Sequence, residues 1–209
     1  MSRNNLIDPL MKPLRTIAKL KSGAETTVVA LGDSLTQGWM VRRGFLDFLA
    51  EMLRKAYPES RFRIVNRGIP GDTAEGGLHR LRADVLDHNP DCVLIQFALN
   101  DAFCGYGVEQ FGQYVQWMVD EIREDGDAEI VLVTSSYVGN NRETRFVENF
   151  YRELENLAAV NGLPLARVHS YWKKRIGEDV EFRTLVQADL VHPTTAGYKL
   201  MAEAVMQLF

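Results

Sequence analysis

From residue 27 onward, short apolar or β-branched runs alternate with stretches of helical period, and few folds accommodate that alternation. Residues 27–31 (TVVAL) read as a strand covered on both faces. Phe45, Phe48, Leu49, Met52, Leu53 and Ala56 then recur at i, i+3, i+4, i+7, i+8 and i+11, the period of an amphipathic helix, which Pro58 closes. Further strands are expected at 62–66, 92–98, 130–134 and 163–168. Helices are expected at 76–88, 108–124, 143–160 and 194–208, with a patchy helical stretch over 170–187. Asn89-Pro90 and Asn161-Gly162 punctuate two of them. Strands alternating with helices imply βαβ units with right-handed crossovers. The expected architecture is a three-layer α/β/α sandwich around a five-stranded parallel sheet.

Composition narrows the class. A chain of 209 residues with 46% hydrophobic and 25% charged residues can build one globular core without disulfide or metal, which excludes disorder and coiled coil. The domain is read as 27–209, preceded by an N-terminal extension, 1–26. The net charge of −4 argues against a generic nucleic-acid binder. That charge is uneven, because the extension carries five Lys/Arg against two Asp/Glu. The longest apolar runs are strand-sized, so no membrane insertion is expected. Asp8, Pro9, Lys12, Pro13 and Arg15 interrupt any apolar leader. The extension is read as packing on the domain rather than tethering it to a membrane, and the chain as cytoplasmic. Cys92 and Cys104 lack metal-ligand or C-x-x-C spacing and read as free thiols.

Ligands of open parallel sheets bind outside the carboxyl ends of the strands, so the residues there carry the functional information. Gly32-Asp33-Ser34-Leu35 follows the first strand, and Asn66-Arg67-Gly68-Ile69-Pro70-Gly71-Asp72 the second. Ala98-Leu99-Asn100-Asp101 follows the third, and Asp189-Leu190-Val191-His192-Pro193 precedes the last helix. Each block alone fits a turn or a helix cap. Together they supply the parts of acyl transfer. Ser34, at a strand-to-helix turn, needs a base to become a nucleophile. His192 fits, with Asp189 three residues before it to hold Nδ1 and leave Nε2 facing the serine. The Ser34 and Gly68 backbone N–H groups and the Asn100 amide are candidate donors to an oxyanion.

These four blocks, in this order, resemble the GDSL or SGNH hydrolase family over residues 27–209. The resemblance implies a flavodoxin-like SGNH hydrolase fold and a cofactor-free, metal-free serine esterase or acylhydrolase acting on a small-molecule ester or thioester. It implies Ser34 as nucleophile, His192 as base, Asp189 as its orienting carboxylate, and Ser34, Gly68 and Asn100 as the oxyanion hole. Two positions depart from the family's pattern, Ala98 and Leu190, where glycine is usual.

Two other functions compete. Asp33, Asp72, Asn100, Asp101 and His192 could hold divalent ions in a phosphoesterase, although no Asp-x-His or His-x-His pair occurs. A non-catalytic binding module could use the same fold. His79 and His88 read as surface residues, and His169-Ser170 as a poor dyad because adjacent side chains diverge. Ser135 and Ser136 read as cleft wall. Trp39, Met40, Phe103 and Tyr106 flank the motif loops as pocket or packing. There is no G-x-S-x-G elbow and no dinucleotide or P-loop fingerprint. Natural substrate and oligomeric state are left open.

Overall fold

The computed structural model describes residues 11–139 and 145–209. Five parallel strands form one sheet: β1 (Glu25–Gly32), β2 (Arg61–Gly68), β3 (Cys92–Gln96), β4 (Glu129–Val133) and β5 (Leu165–Ala166). Their spatial order is β2-β1-β3-β4-β5, so the chain reverses direction beside β1. The five-stranded parallel α/β architecture is the expected one. β3 is buried at every position, because helices cover both faces of the sheet. β2 lies at an edge, and its Arg61, Arg63 and Arg67 keep that edge charged.

The helices are α1 (Leu14–Ser22), α2 (Ser34–Gln37), α3 (Phe45–Ala56), α4 (Ala74–His79), α5 (Leu81–Asp84), α6 (Leu99–Phe103), α7 (Val108–Asp125), α8 (Val147–Asn161), α9 (Val168–Glu178), α10 (Phe182–Leu185) and α11 (Thr195–Met206). α3 packs on α11 and α11 on α9, while α4 packs on α7 and α7 on α8. These are the two outer layers, since right-handed crossovers leaving β1 in opposite directions cover opposite faces. None of these helices is long and apolar enough to cross a membrane.

The structure differs locally from the sequence reading at four places. The single helix expected over 76–88 is three pieces, broken at Arg80 (φ −105°, ψ 5°) and at Val85 (φ −126°, ψ −63°). The Arg80 guanidinium is committed to tertiary partners there, the carbonyls of Gly32 (3.0 Å) and Arg67 (2.9 Å) and the carboxylate of Asp72 (2.8 Å), besides its local partner Asp84 (2.8 Å). β3 stops at Gln96 rather than 98, because Ala98 turns to φ +120°. β5 keeps only two residues of the strand expected at 163–168. α8 begins at Val147, and positions 143 and 144 of the expected helix lie outside the described residues.

The extension folds into α1, a helix the sequence expectation does not include. Thr16, Ile17 and Leu20 are its buried face, and Gly23 closes it in the left-handed conformation. The Glu129 carboxylate at the start of β4 satisfies its first turn, accepting from the N–H groups of Arg15 (3.1 Å) and Thr16 (2.7 Å) and from the Thr16 hydroxyl (2.7 Å). Lys19 pairs with Asp91 at 2.6 Å. Residues 1–10 of the extension lie outside the described residues.

Ala98 and Leu190, the two positions where glycine is usual in the resembled family, both have positive φ (+120° and +61°). A side chain there stores backbone strain of about 1–3 kcal/mol. A comparison with Ala30, buried in the regular strand β1, isolates that strain, because both glycine substitutions lose one buried methyl. Ala98→Gly is expected to cost about 1–3 kcal/mol less than Ala30→Gly in urea unfolding. Equal costs for the two would mean that Ala98 is not strained.

Candidate active site

Ser34 sits where β1 gives way to α2, at the carboxyl end of a central strand. Asp33 caps α2, its Oδ1 accepting from the Leu35 N–H at 2.8 Å. A β-carbon at Gly32 would lie 2.5 Å from the Gln96 carbonyl oxygen, so glycine is what lets β1 turn against β3. The Ser34 backbone N–H has no acceptor among the described residues and stays available at the start of the helix.

His192 reaches this serine from the far end of the chain. The segment before α11 is closed by a bridge between Val186 and Pro193 and by the Gln187 N–H to the His192 carbonyl at 2.8 Å. Within it, Asp189 Oδ1 accepts from the N–H groups of Val191 and His192, both at 2.9 Å. Its Oδ2 lies 2.6 Å from His192 Nδ1. His192 Nε2 lies 3.0 Å from Ser34 Oγ. Burial pulls the Asp189 carboxyl upward. The His192 side chain and the two backbone N–H groups outweigh it and hold the group below the usual carboxylate range. A carboxylate that stays ionised fixes the imidazole tautomer with the proton on Nδ1. The Trp39 ring lies 5.9 Å from the imidazole, tilted by 37°.

Asn100 lies on α6 directly after β3, and its Nδ2 donates to the Asp72 carbonyl at 2.8 Å. One amide hydrogen is used there and the second is not. Gly68 departs from its expected place. Its N–H donates to Asn66 Oδ1 at 2.9 Å, so it is already engaged. Glycine is required there for a different reason: a β-carbon would lie 2.1 Å from the Gln37 nitrogen, inside α2. Three residues on, Pro70-Gly71 forms the centre of a turn closed by the Asp72 N–H to the Ile69 carbonyl at 3.1 Å, with Gly71 at φ +80°. Pro then Gly at those places is the signature of a type II turn, and it was legible in the sequence. The Gly71 N–H has no acceptor among the described residues.

The carboxylates that might have held metal ions are spent on structure. Asp33 is buried, and its Oδ2 accepts from the Gln96 amide at 3.3 Å. Burial pushes its carboxyl up to about 7, against the Leu35 N–H and the Gln96 amide. Asp101 accepts from the N–H groups of Ala74 (2.9 Å) and Ala98 (3.1 Å), tying the loop after β2 to the loop after β3. Burial raises it to about 6, with those same N–H groups opposing. Asp72 is paired with Arg80 at 2.7 Å. Among the described residues, no three His, Cys, Asp or Glu side chains gather so as to hold a metal ion.

The other candidates lie apart. His79 is exposed, and His88 Nε2 sits 2.7 Å from the Arg67 guanidinium. His169 packs on the rings of Tyr137 and Tyr151, and burial lowers it to about 4, while neighbouring Ser170 is exposed. Ser135 supports the site from below, its hydroxyl accepting from the Gln96 amide at 2.8 Å and donating to the Phe97 carbonyl at 3.1 Å. Cys92 is buried, Cys104 is exposed, and both are free.

Known proteins resemble this chain in sequence and in fold. The chain is 28% identical over 194 residues to the esterase TesA of Pseudomonas aeruginosa, covering 92% of both proteins. It is 23% identical to an acetylxylan esterase of Geobacillus stearothermophilus, covering 90% of this chain and 95% of that one. The solved structure of that enzyme, Axe2, superimposes with a TM-score of 0.80 over 90% of this chain, so the two share a fold. The model of the GDSL-like lipase/acylhydrolase family matches residues 30–200, and the chain belongs to that family.

Proposed function

We propose that this esterase works as a serine acylhydrolase through Ser34, His192 and Asp189, with no metal and no organic cofactor. The carrying observation is the relay Ser34 Oγ–His192 Nε2 (3.0 Å) and His192 Nδ1–Asp189 Oδ2 (2.6 Å). His192 takes the Ser34 proton as Oγ attacks the ester carbonyl. The resulting oxyanion is received by the Ser34 N–H and the free hydrogen of the Asn100 amide. The Gly71 N–H, unengaged in its turn, is better suited than the Gly68 N–H as the third donor. His192 then passes its proton to the leaving oxygen, leaving an acyl-enzyme on Ser34. Water, deprotonated by the same imidazole, releases the acid. Asp189 stays ionised throughout and stabilises the imidazolium.

The site mouth favours an apolar substituent on the ester. Trp39 and Met40 follow α2, Ile69 follows β2, Phe103 ends α6 and Phe146 precedes α8, and all five are exposed large hydrophobics. Phe103 and Phe146 meet edge to face at 5.9 Å. Most exposed apolar side chains are scattered singly, and a cluster on loops that share one end of a sheet marks a binding surface. This supports an acyl or aryl group larger than acetyl.

Three outcomes follow. Ser34→Ala should lower hydrolysis of p-nitrophenyl butyrate by at least about 1,000-fold with its circular dichroism unchanged; retained activity would remove Ser34 as nucleophile. Asn100→Ala should lower kcat about 100-fold or more with KM little changed, and a loss under about threefold would remove Asn100 from the oxyanion site. Across p-nitrophenyl esters, kcat/KM should rise about two- to fourfold per added methylene from acetate to hexanoate. A maximum at acetate would mean that the apolar rim does not bind the acyl chain.

A further inference from the structure

Ser34 and His192 belong to segments 158 residues apart, and the relay that orients His192 lies wholly inside its own loop. Asp189 sets the tautomer and rotation of the imidazole but does not set where the loop stands relative to the serine. Something else must fix that distance, because a displacement near 1 Å at reacting atoms costs about 100-fold.

Gln187 makes the connection. It lies at the base of the loop, and its backbone N–H and carbonyl close that loop, to the His192 carbonyl (2.8 Å) and from the Leu190 N–H (3.0 Å). Its side chain leaves the loop. Nε2 donates to the Pro193 carbonyl at 2.9 Å and, across 148 residues, to the Trp39 carbonyl at 3.0 Å. Trp39 is in turn fixed to the nucleophile, its N–H donating to the Ser34 carbonyl at 3.1 Å. One amide therefore joins the histidine loop to the serine turn through a single intervening residue, alongside the Ser34–His192 contact. Both of its hydrogens are used on carbonyls, so a carboxylate or a hydrocarbon of the same length cannot replace it. The same residue, Trp39, sets its ring 5.9 Å from the His192 imidazole.

We infer that Gln187 is a positioning residue that sets the Ser34–His192 distance by clamping the histidine loop to the Trp39 carbonyl. The inference rests on the Ser34–His192 reading above, and the test separates the two. Gln187→Met keeps the length and removes both donors, and Gln187→Glu, which keeps length and polarity, serves the same test should the methionine variant fold poorly. Steady-state hydrolysis of p-nitrophenyl butyrate is measured for the wild type, each variant, His192→Ala, and each variant combined with His192→Ala. The expected result is a fall in kcat of about 10- to 100-fold, KM within about threefold, and a matching fall in the rate of fluorophosphonate labelling of Ser34. In the His192→Ala background the Gln187 change should cost nothing further, because the group it positions is gone. An unchanged kcat, or a loss that repeats in full without His192, overturns the clamp and leaves the relay standing. Activity retained by His192→Ala alone overturns the relay itself.

Discussion

Strand β1 carries the constraint on which the rest of the molecule depends. Residues Val28–Gly32 pair on one side with β2 and on the other with β3, so this strand is locked by two ladders. The chain reverses its direction of travel across the sheet here, which opens a crevice at the carboxyl end of β1 that no crossover helix fills. Ser34 is the second residue past that end. A nucleophile placed there inherits the rigidity of a doubly paired strand, while its hydroxyl stays at the rim. Close backbone approaches tighten the seat: Gly32 lies against the Gln96 carbonyl and Gly68 against Gln37, and neither contact leaves room for a β-carbon.

Around that seat, buried and half-buried polar groups join strand ends that the sheet ladders no longer reach. Arg80 collects the Gly32 and Arg67 carbonyls with Asp72. Asp101 joins the Ala74 and Ala98 N–H groups, and Gln96 bridges Thr36, Asp33 and Ser135. Asn100 holds the Asp72 carbonyl from α6. Satisfied buried networks of this kind specify one arrangement, because any alternative leaves a polar group unpaired. Their side effect is electrostatic. Burial raises the Asp33 and Asp101 carboxyls above the usual carboxylate range, opposed by the N–H groups that bond them. The carboxylate kept charged is Asp189, half-exposed and held below the usual range by three donors in its own loop.

Much of this was legible in the residues. Periodicity located all five strands and the long helices, because apolar spacing directly encodes which face is buried. The motif blocks pointed to Ser34, Asn100, Asp189 and His192, and the tertiary fold brings them to one rim. Errors came where a tertiary contact overrides local preference. The helical pattern over 76–88 breaks first at Arg80, whose guanidinium is drawn to strand-end carbonyls. Ala98 ends β3 early at a positive φ that no propensity for alanine would indicate. α1 is marked locally by its Ile17 and Leu20 face and its closing Gly23, but it is secured by Glu129 and Asp91, 114 and 72 residues away. Gly68 was read as a donor on the strength of being glycine in a tight loop, whereas the Asn66 side chain takes its N–H.

The sequence alone determined the class of fold, the order of the four motif blocks and which side chains are candidates for the chemistry, since hydrophobic period and chemical functionality are properties of local residues. Distance was decided by the tertiary structure alone. Which glycine N–H is free, which carboxylates are spent on backbone, and how Gln187 sets the histidine loop against the serine turn all depend on atoms far apart in the chain. Catalytic geometry is sensitive to about an ångström, and only packing of the whole core fixes positions at that scale.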